Sequence, residues 1–120
     1  MIWVSKGLAL LVVLAHLYFF WLESFAWRKV AAKTFRMSQE NVEATATMAS
    51  NQGAYNGLVA IGLLIGVFHP DPSINFAFRA YFLFFVIVAG IWGAATVNRR
   101  IFYVQALPAL LALGAALIGG

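Results

Sequence analysis

Glu23, His16 and the run Asn51-Gln52-Gly53-Ala54-Tyr55-Asn56-Gly57 carry chemistry that their apolar surroundings do not call for. A carboxylate accepts protons or pairs with a cation, an imidazole relays protons, a phenol donates one, and amides orient the polar atoms of a ligand. His16 and Glu23 stand seven residues apart, which places them on one face of a helix, about 10 Å apart along its axis. Phe19, Phe20 and Trp27 fall on or beside that face, and Trp92 from a later segment can add another aromatic wall. Gln105 precedes Pro108, whose ring removes a backbone donor and frees the Val104 carbonyl one turn from that amide. The candidate ligand-binding set is Glu23, Asn51, Gln52, Tyr55, Asn56, Gln105 and Trp92; Glu23, His16 and Tyr55 are the candidates for proton transfer. Motif support for a reaction stops there. The sequence holds no His-Glu-x-x-His, no Gly-x-Ser-x-Gly and no cluster of metal ligands, and without cysteine it has neither disulfides nor thiolate chemistry. No cofactor and no metal are expected, and the motifs leave enzyme and binding protein as open alternatives.

The elements that must position these residues are helices in a bilayer. Of 120 residues, 63% are apolar and 10% charged, with a mean hydropathy of +0.87. A soluble domain of this size cannot hide so much apolar surface. That excludes a disordered chain and argues against a soluble enzyme. Four runs are long enough to cross, about 7–27, 49–68, 74–97 and 101–119, within one domain covering 1–120. The first reads as a retained helix, since it is long, contains His16 and Glu23, and precedes no small-residue cleavage site. His69-Pro70-Asp71-Pro72-Ser73 is a tight turn, and Asn98-Arg99-Arg100 barely separates the last two spans. The connection 28–48 is long, polar and partly helical. In it Ser38 suits an N-cap, with Glu40 and Glu43 near the positive helix start, so the second helix is predicted to begin near Gln39. The expected fold is all-α: a polytopic bundle of four transmembrane helices in antiparallel up-down order.

The formal net charge of +4 resides beside span ends, as orientation signals and headgroup contacts do, and forms no stripe to track nucleic acid. Arg28, Lys29, Lys33, Arg36, Arg99 and Arg100 flank one side; Lys6 and Arg79, opposed by Asp71, flank the other. Six against two predicts a cytoplasmic first connection and both termini outside a bacterial inner membrane. Glu23, the 51–57 run, Thr96, Asn98 and Gln105 then share the cytoplasmic leaflet, and the opposite half reads as almost wholly apolar. Gln52, Tyr55, Asn56 and Val59 make one helical stripe, expected to turn toward the bundle. Gly53/Gly57 and Gly62/Gly66 flank it with GxxxG spacing, open to a helix of this chain or of a second copy in a homo-oligomer.

Each residue also has an ordinary role. Glu23 can pair with Arg28, Lys29 or Arg99. His16 can bond a neighbouring carbonyl between helices. Membrane amides are packing contacts worth about 0.6 kcal/mol each. Tyr55, Trp3, Trp21 and Trp27 suit an interfacial belt, and His69 a turn. What favours a site is their joint placement at one level.

The Asn51–Gly57 run leading into Leu58–Gly62, together with Glu23, Val88-Ala89-Gly90-Ile91-Trp92-Gly93 and Val104-Gln105-Ala106-Leu107-Pro108-Ala109, resembles the bacterial integral-membrane family called domain of unknown function 1304. The resemblance implies a small four-helix membrane protein and supplies no reaction. In size and helix count the chain is also similar to the small multidrug-resistance transporters, which would make Glu23 a proton-linked carboxylate; here that residue lies near a span end. It is similar in architecture to the membrane-associated eicosanoid and glutathione enzymes, but lacks their arginine-and-glutamate pattern on the second helix.

The expected function is a polar pocket in the cytoplasmic leaflet that binds, and can chemically alter, an amphipathic or lipid-like molecule, with the bilayer as the other partner. Glu23 would be acid, base or cation partner. The amides would orient the ligand, and Tyr55 and His16 would handle protons. The alternatives are a proton-coupled transporter of small hydrophobic compounds acting as an oligomer, and a non-catalytic assembly subunit.

Overall fold

The computed structural model describes all 120 residues, and they form helices and short connections with no strand. Helix α1 (Ile2–Phe20) runs into a π-helical turn, π1 (Trp21–Phe25); α2 (Trp27–Thr34), α3 (Gln39–Phe68) and α4 (Pro72–Thr96) follow; a second π-helical turn, π2 (Phe102–Ala106), opens α5 (Leu107–Gly119). Four stretches are long and apolar enough to cross a membrane: Ile2–Phe25, Gln39–Phe68, Pro72–Thr96 and Phe102–Gly119. The first begins five residues before the predicted start and ends before Trp27, which belongs to α2.

Local chemistry explains the ends. The Asn41 N–H donates to Ser38 Oγ at 3.1 Å, so α3 starts where its cap predicts. Asp71 Oδ1 accepts from the Ser73 and Ile74 N–H groups at 2.8 and 3.2 Å, with Pro72 in the first turn of α4. His69 is a turn residue, its Nδ1 accepting from the Asp71 N–H at 3.0 Å. The π-turns were not expected. In π1 the Ala26 N–H reaches back five residues to the Trp21 carbonyl at 3.0 Å, and in π2 the Leu107 N–H bonds the Phe102 carbonyl. The second lies just before Pro108, which has no N–H for the Val104 carbonyl.

The chain forms two compact units, one of Met1–Ala15 with Ala60–Gly120 and one of His16–Val59. In the first, small residues set the packing. A Cβ at Gly66 would lie 2.5 Å from the Arg79 nitrogen and one at Gly90 2.7 Å from the Ala106 nitrogen. Ala109, Ala112, Ala115 and Ala116 of α5 and Leu83, Val86 and Ile87 of α4 are buried in the same unit. Its polar centre overturns two expectations, that Arg79 flanks a span and that the level around Arg79 is almost wholly apolar. Arg79 is 0% exposed, and Ser5 and Asn75 are buried with it. Its guanidinium donates to Ser5 Oγ at 3.0 Å, to the Gly66 carbonyl at 2.8 Å, to Asn75 Oδ1 and to the Gly120 oxygen. The cause lies in the turn. Pro70 cannot offer an N–H to the Gly66 carbonyl four residues back, and Arg79 supplies the missing donor. Asn75 Nδ2 does the same for the His69 carbonyl at 3.2 Å.

Candidate functional site

In the unit His16–Val59, a seam of small side chains lets the end of α1 and its π-turn lie against α3. Val42, Ala46, Ala49, Gly53 and Gly57 recur at three- and four-residue steps on α3 and are all buried. Gly53 lies under π1, where an added Cβ would meet Ser24 Oγ, lie 2.9 Å from the Ser24 nitrogen and 3.0 Å from Glu23 Cβ. Gly57 lies under Phe20, whose ring would be 3.1 Å from such an atom. Both pairs of glycines are therefore covered within the chain, Gly62 and Gly66 by Phe82 and Arg79.

This seam decides which residues of the 51–57 run point where. Asn56, beside Gly57, is half-buried, and its Nδ2 donates to Glu23 Oε1 at 2.6 Å. Asn51, Gln52 and Tyr55 are exposed, Tyr55 by 58%. The expectation that Gln52 and Tyr55 turn inward with Asn56 and Val59 is thus corrected. At about 100° per residue, Tyr55 lies near the opposite side of the helix from Gly53, and the glycines claim the packed side.

Beside Glu23 opens a cavity of about 720 Å³. One wall comes from π1 and the start of α2, with Glu23, Ser24, Phe25, Trp27, Arg28 and Lys29; the other comes from α3, with Ala46, Thr47, Ser50, Asn51 and Ala54. Ser24 Oγ donates to the Ser50 carbonyl at 2.8 Å and ties the walls. The indole N–H of Trp27 is shared by the Val42 carbonyl at 3.2 Å and Thr45 Oγ1 at 3.1 Å, which fixes that ring at the rim. Glu23 has no cationic partner: the chain's one ion pair joins Arg28 Nε to Glu43 Oε2 at 3.0 Å. The suggestion that Arg28, Lys29 or Arg99 neutralises Glu23 is therefore not what the geometry shows.

Of the predicted residues, Glu23 and Asn56 meet and Asn51 joins Glu23 on the cavity wall. His16 is 1% exposed, packs edge-on to Phe19 with centroids 5.4 Å apart, and does not line the cavity. Trp92, 72% exposed, and Gln105, half-buried in π2, belong to the other unit. Sequence reasoning missed Ser24, Thr47, Ser50, Arg28 and Lys29 as wall residues. Ser24 and Ser50 directly adjoin residues it did select, and the four-residue helical spacing from Asn51 would have added Thr47. The arrangement offers a fixed carboxylate, hydroxyls and an amide, aromatic faces and two cations. It has the pieces to hold a polar group bearing an apolar body, and no group of side chains suited to a metal.

Residues 10–117 match the family described as "Protein of unknown function (DUF1304)". The chain is also similar to the "Uncharacterized protein YpaA" of Lactococcus lactis subsp. lactis (strain IL1403), 34% identical over 109 residues, which make up 88% of this chain and 90% of that protein. No solved structure matches. The chain belongs to the DUF1304 family.

Proposed function

We propose that this DUF1304 protein is a multi-pass membrane protein whose Glu23 cavity binds an amphipathic, lipid-like molecule. The observation that carries the reading is Glu23 itself. Its carboxylate is oriented by Asn56, lacks a cation and borders a cavity of about 720 Å³. An uncompensated carboxylate at the end of an apolar span is costly unless something else completes it. With Arg79 buried, the flanking basic residues count six in the first and third connections against Lys6 on the other side of the spans. That count supports a cytoplasmic first connection and external termini in a bacterial inner membrane. The cavity then lies at the headgroup level of the inner leaflet, with exposed Phe25 on its wall as an apolar approach.

Native mass spectrometry of the gently extracted protein, beside Glu23→Gln, tests this. A reproducible adduct on the wild type that weakens in the variant is the expected result, and its mass identifies the occupant. A variant that keeps the full adduct overturns the assignment to Glu23. A stable oligomer without adduct redirects attention to proton-coupled transport or assembly.

A further inference from the structure

Resting on the reading of the Glu23 cavity as an amphiphile site, we infer that its ligand is a phosphate ester, held at the phosphate by Arg28 and Lys29 and at a hydroxyl nearer the apolar span by Glu23. The charges lining the cavity are one carboxylate and two cations, and Glu43, which engages Arg28, is not among the lining residues. The net lining charge therefore favours an anion. Arg28 spends only its Nε on one oxygen of Glu43, at 3.0 Å, so its two terminal nitrogens stay available for a planar two-point grip. Lys29 adds a point charge beside it. Two cations with the Ser50 and Thr47 hydroxyls and the Asn51 amide exceed what a simple carboxylate amphiphile needs and match the several acceptor oxygens of a phosphate.

The order of charges along the chain sets the orientation. Glu23 is in π1, continuous with the apolar stretch Ile2–Phe25, whereas Arg28 and Lys29 are in the polar α2 beyond it. The α3 wall from Ala46 to Ala54 runs about 12 Å, room for a headgroup lying lengthwise. Phosphate at the Glu23 end would meet a like charge. Phosphate at the Arg28 end leaves a glycerol hydroxyl to donate to Glu23, and an acyl chain then leaves over exposed Phe25, Tyr55 and Leu58. This is the order of groups in a lysophospholipid, phosphate then free glycerol hydroxyl then acyl chain; a diacyl phospholipid has that hydroxyl esterified.

The test titrates the purified full chain in non-ionic detergent with three probes: 1-oleoyl lysophosphatidic acid, 1-monooleoylglycerol and glycerol 3-phosphate. The lysophosphatidic acid is expected to bind roughly tenfold or more tighter than monooleoylglycerol, a gap that Arg28→Gln with Lys29→Gln abolishes and Arg28→Lys with Lys29→Arg largely preserves. Lys33→Gln with Arg36→Gln, which removes basic residues outside the cavity, should leave the gap intact. Equal affinity for the two lipids, or an equal loss in the Lys33/Arg36 variant, overturns the phosphate inference. Monooleoylglycerol binding that still depends on Glu23 would then leave the amphiphile reading standing. No binding of either lipid to the wild type overturns both. Glycerol 3-phosphate binding as tightly as the lipid keeps the phosphate site but overturns the lipid as its source.

Discussion

Arg79 and Glu23 are both charges set into apolar helices, yet their surroundings differ in kind. Arg79 has no exposure and donates to groups on four separate segments: Ser5 of α1, Gly66 of α3, Asn75 of α4 and Gly120 after α5. Glu23 is half-buried, accepts from Asn56 alone and faces a cavity. A charge saturated by its own chain serves as scaffold, because nothing remains for a ligand to complete. A charge with one fixed partner and an open side is held in geometry but left unfinished. Depth in an apolar segment therefore does not tell the two charges apart; the number of internal partners does.

The largest effect that would break this contrast is at Arg79. Arg79→Met leaves the Gly66 carbonyl without a donor and orphans Asn75 Oδ1, and it should cost about 3–5 kcal/mol of stability, comparable to removing one partner of a buried ionic pair. Thermal unfolding in detergent measures it. Arg79→Lys retains the charge without the planar fork and should fall between. A Met variant that melts with the wild type would mean Arg79 is not scaffold and must be sought as a second site.

Arg79 also shows where reading the sequence stops. A basic residue seven positions into a span after a Pro-Asp-Pro turn looks like a flanking charge, because the sequence does not say which carbonyl is orphaned in space. The logic was present in Pro70, whose missing N–H leaves the Gly66 carbonyl open, but the donor came from another helix. What acts locally was legible: Ser38 caps where expected, Asp71 lies in the expected turn, and both glycine pairs are close contacts. Glu23 and Asn56 were both selected, and they meet. Helical periodicity put Gln52, Tyr55 and Asn56 on one stripe without saying which edge of it faces inward. That was decided by the small-residue seam through Gly53 and Gly57. The π1 turn had no proline to announce it, and it carries Glu23.

Gly53 is the next sharpest probe, because it joins scaffold to site. Gly53→Ala forces its Cβ against Ser24 and Glu23, where backbone as well as side chain must move, and should cost about 1–3 kcal/mol while loosening the Asn56–Glu23 bond. Gly114→Ala is the control in the other unit, with nothing within 4 Å of the new atom. It should be neutral or stabilise by up to about 1 kcal/mol through helix propensity. Paired melting curves read both. If the two substitutions behave alike, the seam is not what fixes Glu23.

The smallest effect is expected at Glu43, and its smallness is informative. The Arg28–Glu43 pair has a good distance, 3.0 Å, but its side chains are 65% and 51% exposed, so water already solvates both ends and salt screens them. Glu43→Gln should change stability by about 0–1 kcal/mol, read by thermal unfolding at low and high salt. The same substitution releases Arg28 to bind anions without a competing carboxylate, so affinity for 1-oleoyl lysophosphatidic acid should hold or rise. A loss as large as that at Arg79 would place Arg28 among the scaffold charges, saturated from within. Near-neutral stability with undiminished binding leaves Arg28 where Glu23 is: restrained by one partner, and free to take another.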